Sequence, residues 1–141
     1  MSNRYVVTGG AGFIGSNLVR HILNTTGERV SVIDNCLTGH RRNLDEVADR
    51  VDLHDVDIRD YDAVAKAVGG AELVFHLAAI PSVPRSISDP IPSHECNING
   101  TFNVLRAAQE GGARRVVYAA SSSAYGDTDV LPKTESMRPL P

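Results

Sequence analysis

The turn Thr8-Gly9-Gly10-Ala11-Gly12-Phe13-Ile14-Gly15 constrains this chain more than any other segment, because of what flanks it. Before it runs Arg4-Tyr5-Val6-Val7, a β-branched and aromatic stretch that reads as a strand. After it Ile14, Leu18, Val19, Ile22 and Leu23 recur at helical spacing. A second β-rich run, Val30-Ser31-Val32-Ile33, ends in Asp34. Strand, spaced glycines (Gly9, Gly12, Gly15), helix, strand and acid fall in the register of a dinucleotide-binding βαβ unit. The glycines let backbone fold sharply and approach a pyrophosphate. The start of the helix offers that anion unpaired N–H groups and partial positive charge. Asp34 is placed to accept hydrogen bonds from both ribose hydroxyls of the adenosine half and to repel a 2′-phosphate, which favours NAD over NADP. Arg41-Arg42 is the counter-signal, serving either a 2′-phosphate or nothing more than a solvated loop; Asp34 holds the deciding position.

Strand-like and helix-like segments alternate along the rest of the chain. Strands read at about 4–8, 29–34, 51–56, 72–77 and 115–120, and helices at about 13–26, 60–68 and 92–111, with an irregular piece near 40–48. Such alternation specifies an α/β fold with right-handed crossovers, a Rossmann-like doubly wound parallel sheet of strand order 3-2-1-4-5. The ligand crevice then lies at the carboxyl ends of strands 1 and 4. Leu73-Val74-Phe75 and Val116-Val117-Tyr118-Ala119-Ala120 are apolar enough to be covered on both faces. The Pro-rich stretch from Pro81 to Pro92 reads as a loop at the crevice edge. On the long helix, Ile98, Phe102, Leu105 and Ala108 form one apolar stripe that Val104 widens. Gly100 inside it costs about 1 kcal/mol relative to Ala, which marks a close approach by backbone or ligand, or has no meaning at all.

A length of 141 residues suits one domain with its own core, taken as residues 1–141. A net charge of −3 argues against a nucleic-acid or anionic-membrane surface, and no apolar run reaches the ~20 residues of a membrane span. No leader opens the chain, since Met1-Ser2-Asn3 runs straight into the first strand, so a cytoplasmic location is expected. Cys36 and Cys96 lie far apart without metal-ligand spacing and read as reduced thiols; the five scattered histidines give no metal site.

The fifth strand ends in Ala120-Ser121-Ser122-Ser123-Ala124-Tyr125-Gly126. Serines often end strands by satisfying loose backbone groups. Beside a dinucleotide turn, three hydroxyls at that carboxyl edge point instead toward a nicotinamide. No His–acid partner is evident for a nucleophilic serine, so a hydroxyl that binds a substrate alcohol fits better than hydrolase chemistry.

These motifs together resemble the N-terminal portion of an extended short-chain dehydrogenase/reductase. The similarity is greatest to the NAD-dependent nucleotide-sugar 4-epimerases acting on UDP-glucose or UDP-N-acetylglucosamine. It is carried by Thr8 to Gly15, Asp34-Asn35 with Leu37-Thr38-Gly39, and Asp57-Ile58. It continues through His76-Leu77-Ala78-Ala79, Ser82 to Ser86, Asn97 to Thr101, and Ser121 to Gly126. The resemblance implies that Phe13 and Ile14 lay backbone amides on the pyrophosphate, and that Asn35, Leu37, Thr38 and Gly39 close around the ribose held by Asp34. Asp57 and Ile58 would flank the adenine, the carboxylate accepting its amino group. Leu77, Ala78 and Ala79 would line the path to the nicotinamide, and Asn97 would brace the site from the long helix. Ser121 matches the family's catalytic Ser/Thr; Ser122 and Ser123 stand where sugar contacts are expected, and Ser82 is such a contact or a surface-loop residue. Arg85 reads as solvated.

In such epimerases a tyrosinate takes the sugar 4-hydroxyl proton while C4 gives hydride to NAD. Dehydratase relatives carry an acidic pair after the catalytic Ser/Thr, where this chain has Ser122-Ser123. The family's Tyr-x-x-x-Lys would follow Tyr125-Gly126 by about twenty residues, which places it and the substrate domain beyond these 141 residues. None of Tyr5, Tyr61, Tyr118 and Tyr125 has a lysine four positions on. The resemblance therefore implies an NAD-binding portion, inactive alone, with a UDP-sugar as partner; an exposed edge at strand 5 and uncovered apolar surface on the 92–111 helix point to a homodimer, with exchanged elements as one form of it. A stand-alone dinucleotide module and an NAD-dependent sugar-nucleotide dehydrogenase stay open as alternatives.

Overall fold

A computed structural model describes residues 4–140; Met1, Ser2, Asn3 and Pro141 lie outside the described residues, as does the expectation that the first three lead into a strand. Five parallel strands form one sheet: β1 (Tyr5–Thr8), β2 (Val30–Ile33), β3 (Val51–His54), β4 (Leu73–His76) and β5 (Arg115–Tyr118). Their order is β3-β2-β1-β4-β5, as the alternation predicts. The connections run through α1 (Phe13–Thr26), a 3₁₀ segment Arg41–Arg50, α2 (Tyr61–Val68), and the helical run from α3 (Val83–Ser88) to α5 (Thr101–Glu110).

Both faces of the sheet are covered over β1, β2 and β4, and strand alternation divides the core between them. Val6 faces Val64, Val68 and Val104 from α2 and α5, while neighbouring Val7 faces Val19, Ile22 and Leu23 from α1. All four residues of β2 are buried, so its run is apolar except for Ser31. Each fully buried valine contributes about 1.5–3 kcal/mol relative to an exposed one, which makes β1 and β2 the rigid floor beneath the glycine turn.

Three expectations are corrected. The segment from Pro81 to Pro92 is not a loop. Ser82 Oγ accepts the Arg85 amide at 3.2 Å and opens α3, and Pro90 opens α4 (Pro90–His94), where a missing N–H costs nothing. Nor is the long helix uniform: between α4 and α5 it widens into a π-helical stretch, Glu95–Gly100. Finally, β5 is not covered on both faces. Val117 and Tyr118 are exposed, because no helix among the described residues packs over the outer side of this edge strand.

The apolar stripe also divides. Val104, Ala107 and Ala108 turn inward with Gly100, whereas Ile98, Phe102 and Leu105 are exposed. At ~100° per residue the two sets stand on opposite sides of the helix, and only one can face the sheet. Small size decides which. A Cβ on Gly100 would sit 2.6 Å from Ile58 Cγ1, so this glycine marks a close approach, and Ile58 is what approaches.

Candidate functional site

The carboxyl ends of β1, β2 and β4 open into a cleft of about 450 Å³, within the range of small-molecule sites. Its floor is the glycine turn. Gly9 is left-handed at φ +71°, its amide donating to Ile33 O at 2.8 Å, and Gly12 N donates to Gly9 O at 3.1 Å. A Cβ on Gly15 would fall 2.1 Å from Gly9 O, so the helix can pack onto the turn only with a glycine here. No side chain caps α1 and no acid stands in its first turn. The amides of Phe13, Ile14 and Gly15 precede the first intrahelical bond and border the cleft with their positive dipole end uncompensated. The side chains of Phe13 and Ile14 are exposed.

Asp34, one residue past β2, has a carboxylate with two fixed anchors. Oδ2 accepts the Ala11 amide at 2.9 Å and Oδ1 accepts the Cys36 amide at 2.8 Å, the latter with Cys36 at φ 55°. Each oxygen keeps acceptor capacity toward the cleft. Beyond it Asn35 Oδ1 accepts the Leu37 amide, an Asx turn that sets the loop carrying Leu37, Thr38 and Gly39. That loop is tied back to the turn: the His40 amide and Asn43 Nδ2 both donate to Ala11 O. Arg41, the counter-signal for a 2′-phosphate, is paired with Asp55 at 2.6 Å.

Asp57 is held more completely than its sequence context suggests. Its Oδ1 accepts the Arg59 amide and Arg59 Nε, both at 2.9 Å; its Oδ2 accepts Arg59 Nη2 at 2.7 Å and Asn35 Nδ2 at 3.0 Å. The guanidinium bonds hold this carboxyl below the usual carboxylate range, against the opposing effect of burial. All four in-plane acceptor positions are filled, so the carboxylate has none left for an adenine amino group until Asn35 or Arg59 lets go. Ile58 beside it is buried and lines the cleft.

Leu77, Ala78 and Ala79 leave β4 along the cleft wall. Asn97 lies behind that wall instead of lining it: its Oδ1 accepts the Ile80 amide at 2.8 Å and its Nδ2 donates to Ile80 O at 3.1 Å. His76 is buried at the end of β4 with Nδ1 2.6 Å from Thr8 Oγ1 and Nε2 2.9 Å from Thr101 Oγ1. Burial lowers its pKa to about 4, so the ring is neutral at pH 7.

Gly9, Gly12, Phe13, Ile14, Gly15, Asp34, Asn35, Leu37, Thr38, Gly39, Asp57, Ile58, Leu77, Ala78 and Ala79 therefore share one cleft. The serines do not join it. The cleft reaches the β5 side only at Ala119, while Ser121, Ser122 and Ser123 lie beyond, exposed, Ser121 Oγ accepting the Ser123 amide at 3.1 Å to open a short 3₁₀ turn. Ser82 lies outside the cleft, its Oγ capping α3, and Arg85 is exposed on that helix. Arg59, Cys96 and Ala119 are among the further lining residues that the site assignment missed, while Pro81 lies at the crevice edge as expected. Arg59 was detectable as the cation two positions after Asp57; Cys96 enters only because the helix widens there. Burial pushes the Cys96 thiol up, and no metal-ligating cluster occurs among the described residues.

The family described as NAD dependent epimerase/dehydratase matches residues 5–141. A UDP-glucose 4-epimerase of Lacticaseibacillus casei is 34% identical over 137 residues, 96% of this chain and 40% of the relative. The UDP-glucose 4-epimerase of Thermus thermophilus, solved in complex with NAD, superposes with a TM-score of 0.84 at 37% identity, covering 98% of this chain and 44% of that one. A dTDP-glucose 4,6-dehydratase of Streptomyces venezuelae, solved with NAD bound, reaches 0.87 at 36% identity, covering 98% and 45%. The chain thus spans about two-fifths of the length of the curated relatives it matches.

Proposed function

This chain belongs to the NAD dependent epimerase/dehydratase family, and from that premise we propose that residues 1–141 form the NAD-binding domain of a nucleotide-sugar 4-epimerase. One observation carries the proposal: the uncapped start of α1 and the doubly anchored Asp34 face a single cleft. The cradle passes a physical test for a dinucleotide. Side chains at Gly9 and Gly15 would fill it or break it, and no side chain among the described residues caps the first-turn amides. A pyrophosphate supplies that acceptor.

Phe13, Ile14 and Gly15 would bind the pyrophosphate, and Asp34 the adenosine ribose through its remaining lone pairs. Leu77, Ala78 and Ala79 carry the dry wall along which the nicotinamide half would lie, with Asn97 fixing their continuation at Ile80. Bound NAD supplies a reversible hydride acceptor for the sugar's C4. Ser121 is the residue assigned to the substrate's C4 oxygen, with Ser122, Ser123 and Ser82 toward the UDP-sugar. All four serines lie outside the cofactor cleft. The Ser122-Ser123 pair, where dehydratase relatives carry acids, favours epimerisation over dehydration.

These 141 residues contain no Tyr-x-x-x-Lys pair, so no group of lowered pKa takes the 4-hydroxyl proton. The polypeptide is therefore expected to bind NAD and to leave UDP-glucose and UDP-N-acetylglucosamine unchanged. Calorimetric titration with NAD, NADP and ADP-ribose, beside a coupled epimerase assay, tests both statements. NAD bound more weakly than NADP overturns the cofactor assignment, and turnover by this chain alone overturns the inactivity.

A further inference from the structure

The hydrogen bonds around Thr8 fix the protonation state of a buried imidazole. Thr8 Oγ1 accepts the Ala78 amide at 3.2 Å and shares the Leu77 amide, also at 3.2 Å, with the Thr8 carbonyl at 3.1 Å. With both amides approaching its lone pairs, the hydroxyl proton is directed to the remaining neighbour, His76 Nδ1 at 2.6 Å. Nδ1 is then an acceptor, the ring proton sits on Nε2, and Nε2–H donates to Thr101 Oγ1 at 2.9 Å. One neutral ring joins the end of β1, the end of β4 and the first residue of α5.

What these three points carry is the cleft. Thr8 leads into Gly9, whose absent Cβ lets it lie against Ala78: an atom built there would be 2.7 Å from Ala78 N. Thr101 follows Gly100, which packs on Ile58. The ring is 1% exposed and stacks on Tyr118 at 5.6 Å, so water does not compete for either nitrogen. Resting on the NAD-binding reading above, we infer that His76, in its neutral Nε2–H form, is a positioning residue for the cofactor cleft, holding the Leu77–Ala78 wall against the glycine turn through Thr8.

Two variants separate positioning from plain structural support, because each replaces one ring nitrogen. His76→Asn puts an acceptor where Nδ1 was and keeps the Thr8 bond; His76→Gln reaches Thr101 and abandons Thr8. Both lose packing and are expected to lower Tm, but only His76→Gln frees Thr8 and is expected to weaken NAD binding about tenfold relative to His76→Asn, the scale of one buried hydrogen bond. Thr101→Val, which leaves the Thr8 side intact, serves where a ring replacement fails to fold and is expected to keep NAD affinity within about threefold of wild type. In wild type, the ¹⁵N shifts of the His76 ring at pH 7 are expected to show Nδ1 bare and Nε2 protonated. Equal NAD affinities for the Asn and Gln variants, or a tenfold loss in Thr101→Val, overturn the positioning role, and a protonated Nδ1 overturns its basis. If wild type itself binds no NAD, the cofactor reading fails and this role with it, a result distinct from wild-type binding that both variants share.

Discussion

Asp34 Oδ2 accepts the Ala11 amide at 2.9 Å, so the acid that ends β2 is bonded to the glycine turn that follows β1. The same group that would receive the ribose therefore also sets the position of the phosphate cradle. Selectivity and architecture are joined in one side chain.

Asp34→Ala should accordingly act twice. It leaves the Ala11 and Cys36 amides without their acceptor, a loss of about 1.5–3 kcal/mol for each bond to a charged group before water replaces them. Thermal unfolding should shift down, and NAD affinity should fall at least about tenfold. The NAD-over-NADP ratio should shrink, since the repelling charge is gone. Parallel calorimetry with both dinucleotides measures it; an unchanged ratio would mean that Asp34 does not face the 2′ position.

Gly15→Ala sets helix propensity against space. Alanine in a helix interior gains about 1 kcal/mol over glycine. Here the added methyl meets Gly9 O at 2.1 Å, backbone that cannot yield without displacing the turn. Overpacking of this kind costs about 1–3 kcal/mol, so the net effect should be destabilising, with NAD binding lost before the fold is. Gly112→Ala is the comparison: nothing lies within 4 Å of its Cβ, so only the left-handed backbone at φ +77° is strained and NAD binding should persist.

Acid should weaken this fold through His76. In the unfolded chain the imidazole takes a proton below its ordinary value near 6.5, but in the folded chain only below about 4. Between those two values the unfolded state binds more protons, so stability rises with pH, is full above 6.5 and is lost as pH falls toward 4. The contribution is roughly 3 kcal/mol at most. Asp57, held below its ordinary range by Arg59, loses stability in the same direction at still lower pH. Urea titrations at several pH values, wild type against His76→Asn, should show the difference between the two narrowing from pH 7 to pH 4.

The parts legible in the sequence are those governed by local rules. Glycine spacing and the position of Asp34 disclosed the turn and the acid facing it, because both depend on backbone geometry within one βαβ unit, and the strand–helix alternation disclosed the sheet order; the lining from Asn35 to Gly39, at Asp57-Ile58 and from Leu77 to Ala79 was implied by the family resemblance. Three things were not legible. Ser82 sits in a Pro-rich stretch that reads as a loop, and nothing in the local pattern discloses that its Oγ accepts the Arg85 amide to open a helix. Asp57 looked like a free acceptor because its clamps come from Arg59 and from Asn35, twenty-two residues away. The inward face of α5 was misassigned because both of its faces are apolar, and the smaller residues won the contact with the sheet.

That second face gives the last prediction. Ile98, Phe102 and Leu105 are 56%, 64% and 44% exposed along the helical run into α5, and beyond them Val117 and Tyr118 stand exposed on edge strand β5. A residue already in water loses little when truncated, so Phe102→Ser should change stability by less than about 1 kcal/mol in a monomer. Val104→Ala, on the buried face at 0% exposure, should cost about 1–3 kcal/mol through lost burial and a residual cavity. Exposed apolar side chains at helical spacing and an edge strand unpaired among the described residues each favour self-association, and we propose that this chain forms a homodimer at high concentration. If that dimer uses this face, Phe102→Ser should shift light-scattering mass toward the monomer while its unfolding midpoint at low concentration stays put. A dimer untouched by Phe102→Ser would place the contact on β5 instead, and a monomer at all concentrations would remove the expectation.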